Sequence, residues 1–162
     1  MAEKKAYDRQ LRTIGQSLEA QRISIFKLHY QGDRFIVKGE PEAETSLLAK
    51  LRNWQKRNRA AGMSSSLTFT AQDIEQLDRQ GRAQRSNRDR LPDFHSLANT
   101  LRTVGAHLDA MGAELIELQK KELSITILAR NPSGHPEFEE RSLGSFYDLF
   151  MRLHARRKKP NR

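Results

Sequence analysis

The chain has 162 residues, of which 36% are hydrophobic and 30% are charged, and its net charge of +9 favours anionic partners such as nucleic acid, acidic proteins or anionic lipid. It contains no cysteine, which excludes a disulfide framework, thiolate metal sites and cysteine nucleophiles. No run approaches the roughly 18 apolar residues that cross a bilayer, so we expect no membrane insertion. The charged N-terminus does not resemble a secretory signal, and together with the absence of cysteine it leads us to expect a cytoplasmic protein of bacterial type.

Two stretches of the sequence resemble each other at a constant offset of 90 residues. Residues 11–15 read Leu-Arg-Thr-Ile-Gly, and residues 101–105 read Leu-Arg-Thr-Val-Gly. The same offset aligns Phe26, Leu28, Phe35 and Val37 with Ile116, Leu118, Ile125 and Ile127. Self-similarity over this length, with no gap, predicts an internal repeat.

Each copy begins with the pattern of an amphipathic helix. The apolar positions are Tyr7, Leu11, Ile14 and Leu18 in the first copy, and Leu97, Leu101, Val104 and Leu108 in the second. Asp93 is the predicted N-cap of the second helix. A glycine inside a helix costs about 1 kcal/mol relative to alanine. Gly15 and Gly105 therefore predict either that the helices cross closely there or that strand side chains press on the helix backbones.

The apolar period then changes to two, which predicts a hairpin in each copy. Phe26, Leu28 and Tyr30 alternate with polar residues before a turn at 31–33, and Phe35 and Val37 follow it. In the second copy the alternating residues are Ile116, Leu118, Leu123, Ile125 and Ile127. One face of each hairpin is therefore expected to be apolar and the other to be polar and exposed to solvent.

A second helix is predicted to close each copy. Pro41 precedes Leu47, Leu48, Leu51 and Trp54, and Pro136 precedes Leu143, Phe146, Leu149 and Leu153. About five extra residues in the second copy fall in the turn-rich stretch 131–135. Glu137, Glu139 and Glu140 are expected near the start of the last helix, where acidic residues are favourable.

Residues 60–92 are predicted to form a basic connector. Residues 62–66 read as a flexible stretch. A short helix over about 70–80 follows, with Thr70 as its N-cap, Asp73 completing a capping box, and Phe69 and Ile74 as a hydrophobic staple. Residues 81–90 are rich in arginine and are expected to be solvated.

These elements predict an α+β fold. Two helix–strand–strand–helix units, residues 1–59 and 93–162, would share one four-stranded antiparallel sheet with helices on one face and a pseudo-twofold axis between them. Pairing through the first strands would set Lys27 and His29 against Glu117 and Gln119, and pairing through the second strands is the alternative. The element order resembles that of the double-stranded RNA-binding domain, but that domain has three strands where two are predicted here, so no residues are carried over.

No catalytic, cofactor or metal site is predicted. The histidines His29, His95, His107, His135 and His154 show no metal-ligand spacing, and surface or packing roles are favoured for them. The sequence has no GxSxG elbow and no GxxxxGK[ST] loop. We therefore favour a binding protein, and the less favoured alternative is an enzyme whose active site is assembled from residues distant in sequence.

The charge distribution favours nucleic acid, bound through its backbone phosphates without strong sequence specificity. The predicted contact residues are Lys50, Arg52, Lys56, Arg57, Arg59, Arg82, Arg85, Arg88, Arg156, Arg157, Lys158 and Lys159. Further contacts could come from the solvent-exposed face of the sheet, through Arg22, Lys27, His29 and Lys38. The alternatives are a homo-oligomer or an acidic protein partner, in which a basic first unit meets an acidic surface, and basic runs that are simply solvated helix ends.

Overall fold

The computed structural model of the chain describes residues 6–40, 65–85, 96–145, 148–149 and 151–152. In chain order its elements are α1 (Tyr7–Ala20), β1 (Ile25–Gln31), β2 (Arg34–Glu40), β3 (Ser65–Thr70), α2 (Ala71–Arg85), α3 (Leu97–Met111), β4 (Glu114–Lys120), β5 (Ser124–Arg130) and β6 (Pro136–Ser142). Residues 143–145, 148–149 and 151–152 are helical. The fold is α+β, and the predicted helix that contains Leu47 and Trp54 lies outside the described residues.

The six strands form one antiparallel sheet in the order β3-β2-β1-β4-β5-β6. The predicted sheet of four strands was therefore wrong. The two missed strands, β3 and β6, are the edges of the sheet formed by the described residues, where each has one neighbouring strand. β3 includes Ser65 and Ser66 of the stretch predicted to be flexible, and it pairs with β2 over six residues.

The edge strand β6 occupies the place where the start of the last helix was expected. Glu137, Glu139 and Glu140 lie in this strand and not in a first helical turn. Pairing with β5 extends from Arg130 opposite Pro136 to Ser124 opposite Ser142, so seven residues are held extended. The helical residues begin only at position 143.

The two halves of the sheet meet through their first strands. Leu28 of β1 lies opposite Leu118 of β4, and Lys27 lies opposite Gln119. Nζ of Lys27 is 3.0 Å from one carboxylate oxygen of Glu117, and Nδ1 of His29 is 3.3 Å from the other. The proposed contact of basic residues in the first half with acidic residues in the second is confirmed at this junction.

A β-bulge in β4 changes which residue faces the core. The pairing moves from Leu115 opposite Ala129 to Glu117 opposite Leu128, so Ile116 is the extra residue. Leu115 is buried, whereas Ile116 is half-buried. The prediction that Ile116 is a core residue equivalent to Phe26 was wrong, because the bulge shifts the alternation by one residue.

One face of the sheet carries the core, covered by the helices α1 and α3. Leu11, Ile14, Leu18, Leu101, Val104 and Leu108 of these helices form a single buried cluster with Phe26, Leu28, Phe35, Val37, Leu118, Ile125 and Ile127 of the strands. The alternation of the strands places Lys27, His29 and Lys38 on the opposite, open face.

The two helices cross at their glycines, as predicted. A Cβ atom built on Gly15 would lie 2.7 Å from Cα of Ala98, and one built on Gly105 would lie 2.5 Å from the amide nitrogen of Asp8. Because Ala98 and Asp8 are themselves 90 residues apart, the two close contacts are reciprocal. Only glycine lets the two backbones approach this closely.

Acidic side chains of each helix cap the start of the other. The carboxylate of Asp109 accepts hydrogen bonds from the backbone N–H groups of Tyr7 and Asp8, both at 3.0 Å. Glu19, 90 residues earlier than Asp109, accepts one from the backbone N–H of Ala98 at 2.9 Å. The side chain of Ser96 also caps α3, so Ser96 takes the N-cap position predicted for Asp93. These bonds satisfy amides that have no partner within their own helix.

Helix α2 begins with the predicted capping box. Asp73 accepts hydrogen bonds from the amide and the hydroxyl of Thr70, at 2.9 and 2.8 Å, and its own amide donates to that hydroxyl at 3.2 Å. Phe69 and Ile74, the predicted staple, are both buried. The helix extends to Arg85, past the predicted end at about residue 80, so it includes part of the stretch expected to be solvated.

The capping box predicts an acid-dependent contribution to stability. The hydrogen bonds from the amide and then the hydroxyl of Thr70 lower the pKa of the Asp73 carboxyl below its ordinary value of 3.8. A lowered pKa means that this stabilisation is present above pH 3.8 and is lost as the pH falls through the lowered value. Urea unfolding measures the free energy of unfolding of the parent and of Asp73→Asn. The difference between these two free energies should therefore become smaller as the pH falls below 3.8. A difference that does not change with pH would contradict this role for the carboxylate.

Candidate nucleic-acid interface

Two of the twelve residues predicted to contact phosphate lie in the described part of the chain. Arg82 and Arg85 belong to the last turns of α2. The other ten, Lys50, Arg52, Lys56, Arg57, Arg59, Arg88, Arg156, Arg157, Lys158 and Lys159, lie outside the described residues. The fold nevertheless fixes where their segments attach, because 41–64 joins β2 to β3 and 86–95 joins α2 to α3.

The described residues carry no excess charge. They contain 15 Lys and Arg against 15 Asp and Glu. The remaining residues hold 14 basic against 5 acidic side chains, so they account for the whole net charge of +9. The described residues are thus electrically neutral overall, and the remaining residues of the sequence account for the positive charge.

Two of these basic segments attach at the same end of the sheet. The register sets Ser65, Gly39, Phe26, Lys120, Ile125 and Arg141 in one row across the six strands. At this end the chain leaves β2 toward 41–64, returns at β3, and leaves β6 toward the C-terminal tail. Five steps between neighbouring strands separate β3 from β6, which is roughly 24 Å.

Helix α2 is held against α1 by a buried ion pair. The side chain of Asp78 is fully buried, and it lies 2.7 Å from Nη2 of Arg9 and 3.4 Å from Nη2 of Arg12. Nε of Arg9 also donates to this carboxylate at 2.9 Å. The pair fixes the turn of α2 that precedes Arg82 and Arg85. The start of the basic stretch is therefore anchored to the core.

Sequence reasoning missed Asp78, although a signal was present. Asp78 follows Ile74 and Leu77 at helical spacing, so it falls on the inward face of α2. A carboxylate at such a position requires partners, since burying an isolated charge is costly. The partners lie 66 and 69 residues away in sequence, which no local pattern identifies.

The open face of the sheet offers less positive charge than expected. Lys27 and His29 both contact the carboxylate of Glu117, so the charge of Lys27 is already matched by an ion pair. Arg22 lies before β1 in a turn, with φ 57°, and not on the sheet face. Lys38 is exposed on this face, and Arg34 is 3.7 Å from Asp33. The open face carries charges of both signs. It therefore fits a supporting role in contacts with phosphate better than a primary one.

The described histidines lie at separate places. Nε2 of His107 on α3 is 3.2 Å from Glu139 of β6, whose carboxylate also contacts Arg141. His29 lies at the junction of the two half-sheets, and His135 is exposed in the turn before β6. His95 and His154 fall outside the described residues. Among the residues that the structure describes, no three His, Asp or Glu side chains are grouped as a metal site would require.

None of the helices in the described ranges is long and apolar enough to cross a membrane. Comparison with protein-family models, with curated proteins and with solved structures finds no match for this chain.

Proposed function

We propose that the protein binds nucleic acid through backbone phosphates, without strong sequence specificity and without catalysing a reaction. The observation that supports this proposal is the distribution of charge along the sequence: the described residues are neutral overall, and the remaining stretches are strongly basic. Lysine and arginine that neutralise phosphates release counterions, which supplies binding energy independent of sequence. Arginine dominates these segments, and its planar guanidinium can contact one phosphate with two N–H groups. The neutral fold would then act as the scaffold for the basic segments.

The attachment of these segments supports an extended binding surface. Segment 41–64 and the chain toward residues 156–159 leave the sheet at one end, on opposite sides of its width. Arg82 and Arg85 end the helix that Asp78 anchors. Basic segments that leave the sheet at points separated by this width suit an extended phosphate backbone better than a small anion. We propose the cytoplasm as the location, which the lack of cysteine also favours.

The proposed function can be tested by titrating labelled single- and double-stranded DNA and RNA at several salt concentrations. One variant replaces Arg156, Arg157, Lys158 and Lys159 with glutamine. Its matched control makes the same change in charge on the fold, at Arg34, Lys38, Lys121 and Arg130. We expect micromolar binding by the parent, and a salt slope that falls by about one for each phosphate that the tail variant no longer neutralises. The control should lose much less affinity than the tail variant, because the open face that carries Lys38 has only a supporting role.

Two results would contradict this proposal. The first is no binding by the parent at about 50 mM salt, where phosphate contacts are strong. The second is an equal loss of affinity in the control and the tail variant, which would move the interface to the sheet. Binding of polyglutamate without binding of nucleic acid would favour the alternative, an acidic protein partner.

We also infer that the two halves arose by duplication of one unit. The offset of 90 residues relates Gly15 to Gly105 and Glu19 to Asp109, each pair with the same role in the other half's contacts. The repeated unit would be a helix, three strands and a helix, with 41–64 inserted between β2 and β3. This order removes the difference in strand number from the double-stranded RNA-binding domain. Shared element order does not establish a shared function.

A further inference from the structure

The two edges of the sheet differ in chemistry. Within the described ranges, β3 pairs only with β2, and β6 pairs only with β5. An edge strand has backbone N–H and C=O groups directed away from the sheet, which can pair with another strand. Proteins commonly protect such edges with charged residues, proline or bulges.

The edge at β6 has this protection. Its sequence begins with Pro136 and contains Glu137, Glu139 and Glu140. If β6 paired antiparallel with the same strand of a second copy, a twofold axis at residue 138 would set Glu137 opposite Glu139. An axis at 139 or 140 would set Glu139 or Glu140 opposite itself. Like charges directly opposite each other are destabilising, so each of these registers places at least one disfavoured pair at or beside its axis.

The edge at β3 has none of these features. Residues 65–70 read Ser-Ser-Leu-Thr-Phe-Thr, with no charged residue and no proline. The pairing with β2 runs without a bulge from Ser65 to Thr70, so the edge is regular. Ser66 and Thr68 are exposed on the open face, whereas Phe69 is buried on the face of the helices.

We propose that the protein forms a homodimer in which β3 pairs antiparallel with β3 of a second copy, with Thr68 on the twofold axis. In this register Leu67 lies opposite Phe69 on the helix face, and Ser66 lies opposite Thr70 on the open face. Apolar pairs and pairs of hydroxyl side chains are both favourable across antiparallel strands. An axis at Leu67 would instead set Ser65 against Phe69, a poorer match. The dimer would join two sheets of six strands into one.

The lack of cysteine makes this register directly testable. In the proposed dimer, the two residues at position 68 face each other with Cβ atoms about 5 Å apart, close to disulfide distance. The two residues at position 66 would be roughly 14 Å apart, four residues along the strand. Under mild oxidation Thr68→Cys should form a covalent dimer, and Ser66→Cys, on the same strand and face, should do so roughly tenfold more slowly.

A second pair of variants tests the interface without cross-linking. Sedimentation of the parent across a concentration series should show a species of twice the 18.7 kDa monomer mass. Thr68→Lys alone and Thr68→Glu alone should each weaken the dimer by about fivefold, and mixing them should restore it. Phe138→Lys, on the β6 edge, is the control and should dimerise like the parent.

The proposal is overturned if the parent remains monomeric at every concentration, or if Ser66→Cys cross-links as fast as Thr68→Cys. It is also overturned if Phe138→Lys disrupts the dimer while Thr68→Lys does not, because the interface would then involve β6. Assemblies larger than a dimer would overturn it as well, since they would indicate that β3 pairs with β6 of the next copy.

Discussion

Replacement of Gly105 by alanine is expected to lower the free energy of unfolding by about 2 kcal/mol or more, although alanine is the better helix former. The added Cβ would lie 2.5 Å from the amide nitrogen of Asp8 and from the carbonyl carbon of Tyr7. Both atoms belong to the backbone of α1, so no side-chain rotation relieves the clash. The helices must separate, which loosens the packing of Leu101 and Val104 beneath them. Urea unfolding followed by circular dichroism measures the destabilisation.

Gly144→Ala is the matched control for this substitution. Gly144 is also helical, and a Cβ built on it would meet no atom within 4 Å. Alanine there should leave stability unchanged or raise it by up to about 1 kcal/mol. If Gly105→Ala were as stable as Gly144→Ala, the close crossing of α1 and α3 would be wrong.

Removal of the buried carboxylate in α2 is expected to have the largest effect. Asp78→Ala should cost about 3 kcal/mol, because it leaves two arginines facing a site built for their counterion. Arg12 is the more affected partner, since its side chain is 21% exposed against 46% for Arg9. Unfolding experiments should show the destabilisation, and hydrogen exchange should show α2 opening before α1 and α3.

Glu75→Ala provides the control on the same helix. Glu75 forms an exposed ion pair with Arg79 at 2.6 Å, one helical turn away. Pairs of this kind contribute about 0.3–0.5 kcal/mol. Equal destabilisation by Glu75→Ala and Asp78→Ala would mean that the Asp78 pair does not anchor α2 to α1.

The parts of the fold that local pattern determines were predictable from sequence. Tyr7, Leu11, Ile14 and Leu18 repeat at helical spacing, and they form the buried face of α1. The turn between β1 and β2 was equally predictable, because glycine and aspartate follow each other at positions 32 and 33. In the structure Gly32 adopts the positive φ of 67° that glycine tolerates. The matched positions of Gly15 and Gly105 predicted either a close crossing of the helices or pressure from strand side chains, and the structure has the close crossing.

The edge strands were not predictable in the same way. In β3, the alternation of Leu67 and Phe69 was present but short, and the serines before it suggested a flexible linker. In β6, Phe138 is the only large apolar residue between charged neighbours, and it is 68% exposed. Neither face of β6 carries the apolar pattern that marks a strand. Its position depends on hydrogen bonding to β5, a tertiary interaction.

The candidate interface was predictable in composition and not in arrangement. The basic residues could be identified from the sequence. The equal numbers of acidic and basic side chains among the described residues could not. Ion pairs such as Lys27 with Glu117 join positions that are 90 residues apart. The described residues contain as many acidic as basic side chains, so the unmatched charge belongs to the remaining residues of the sequence.

The most direct test of this assignment is a nuclear magnetic resonance titration of the full chain with a short duplex. We expect shifts in the backbone signals of residues 41–64, 82–95 and 153–162, fading as salt is raised. Signals from the strands should change little. Shifts centred on Lys27, His29 and Lys38 of the open sheet face, with the basic segments unaffected, would contradict the account.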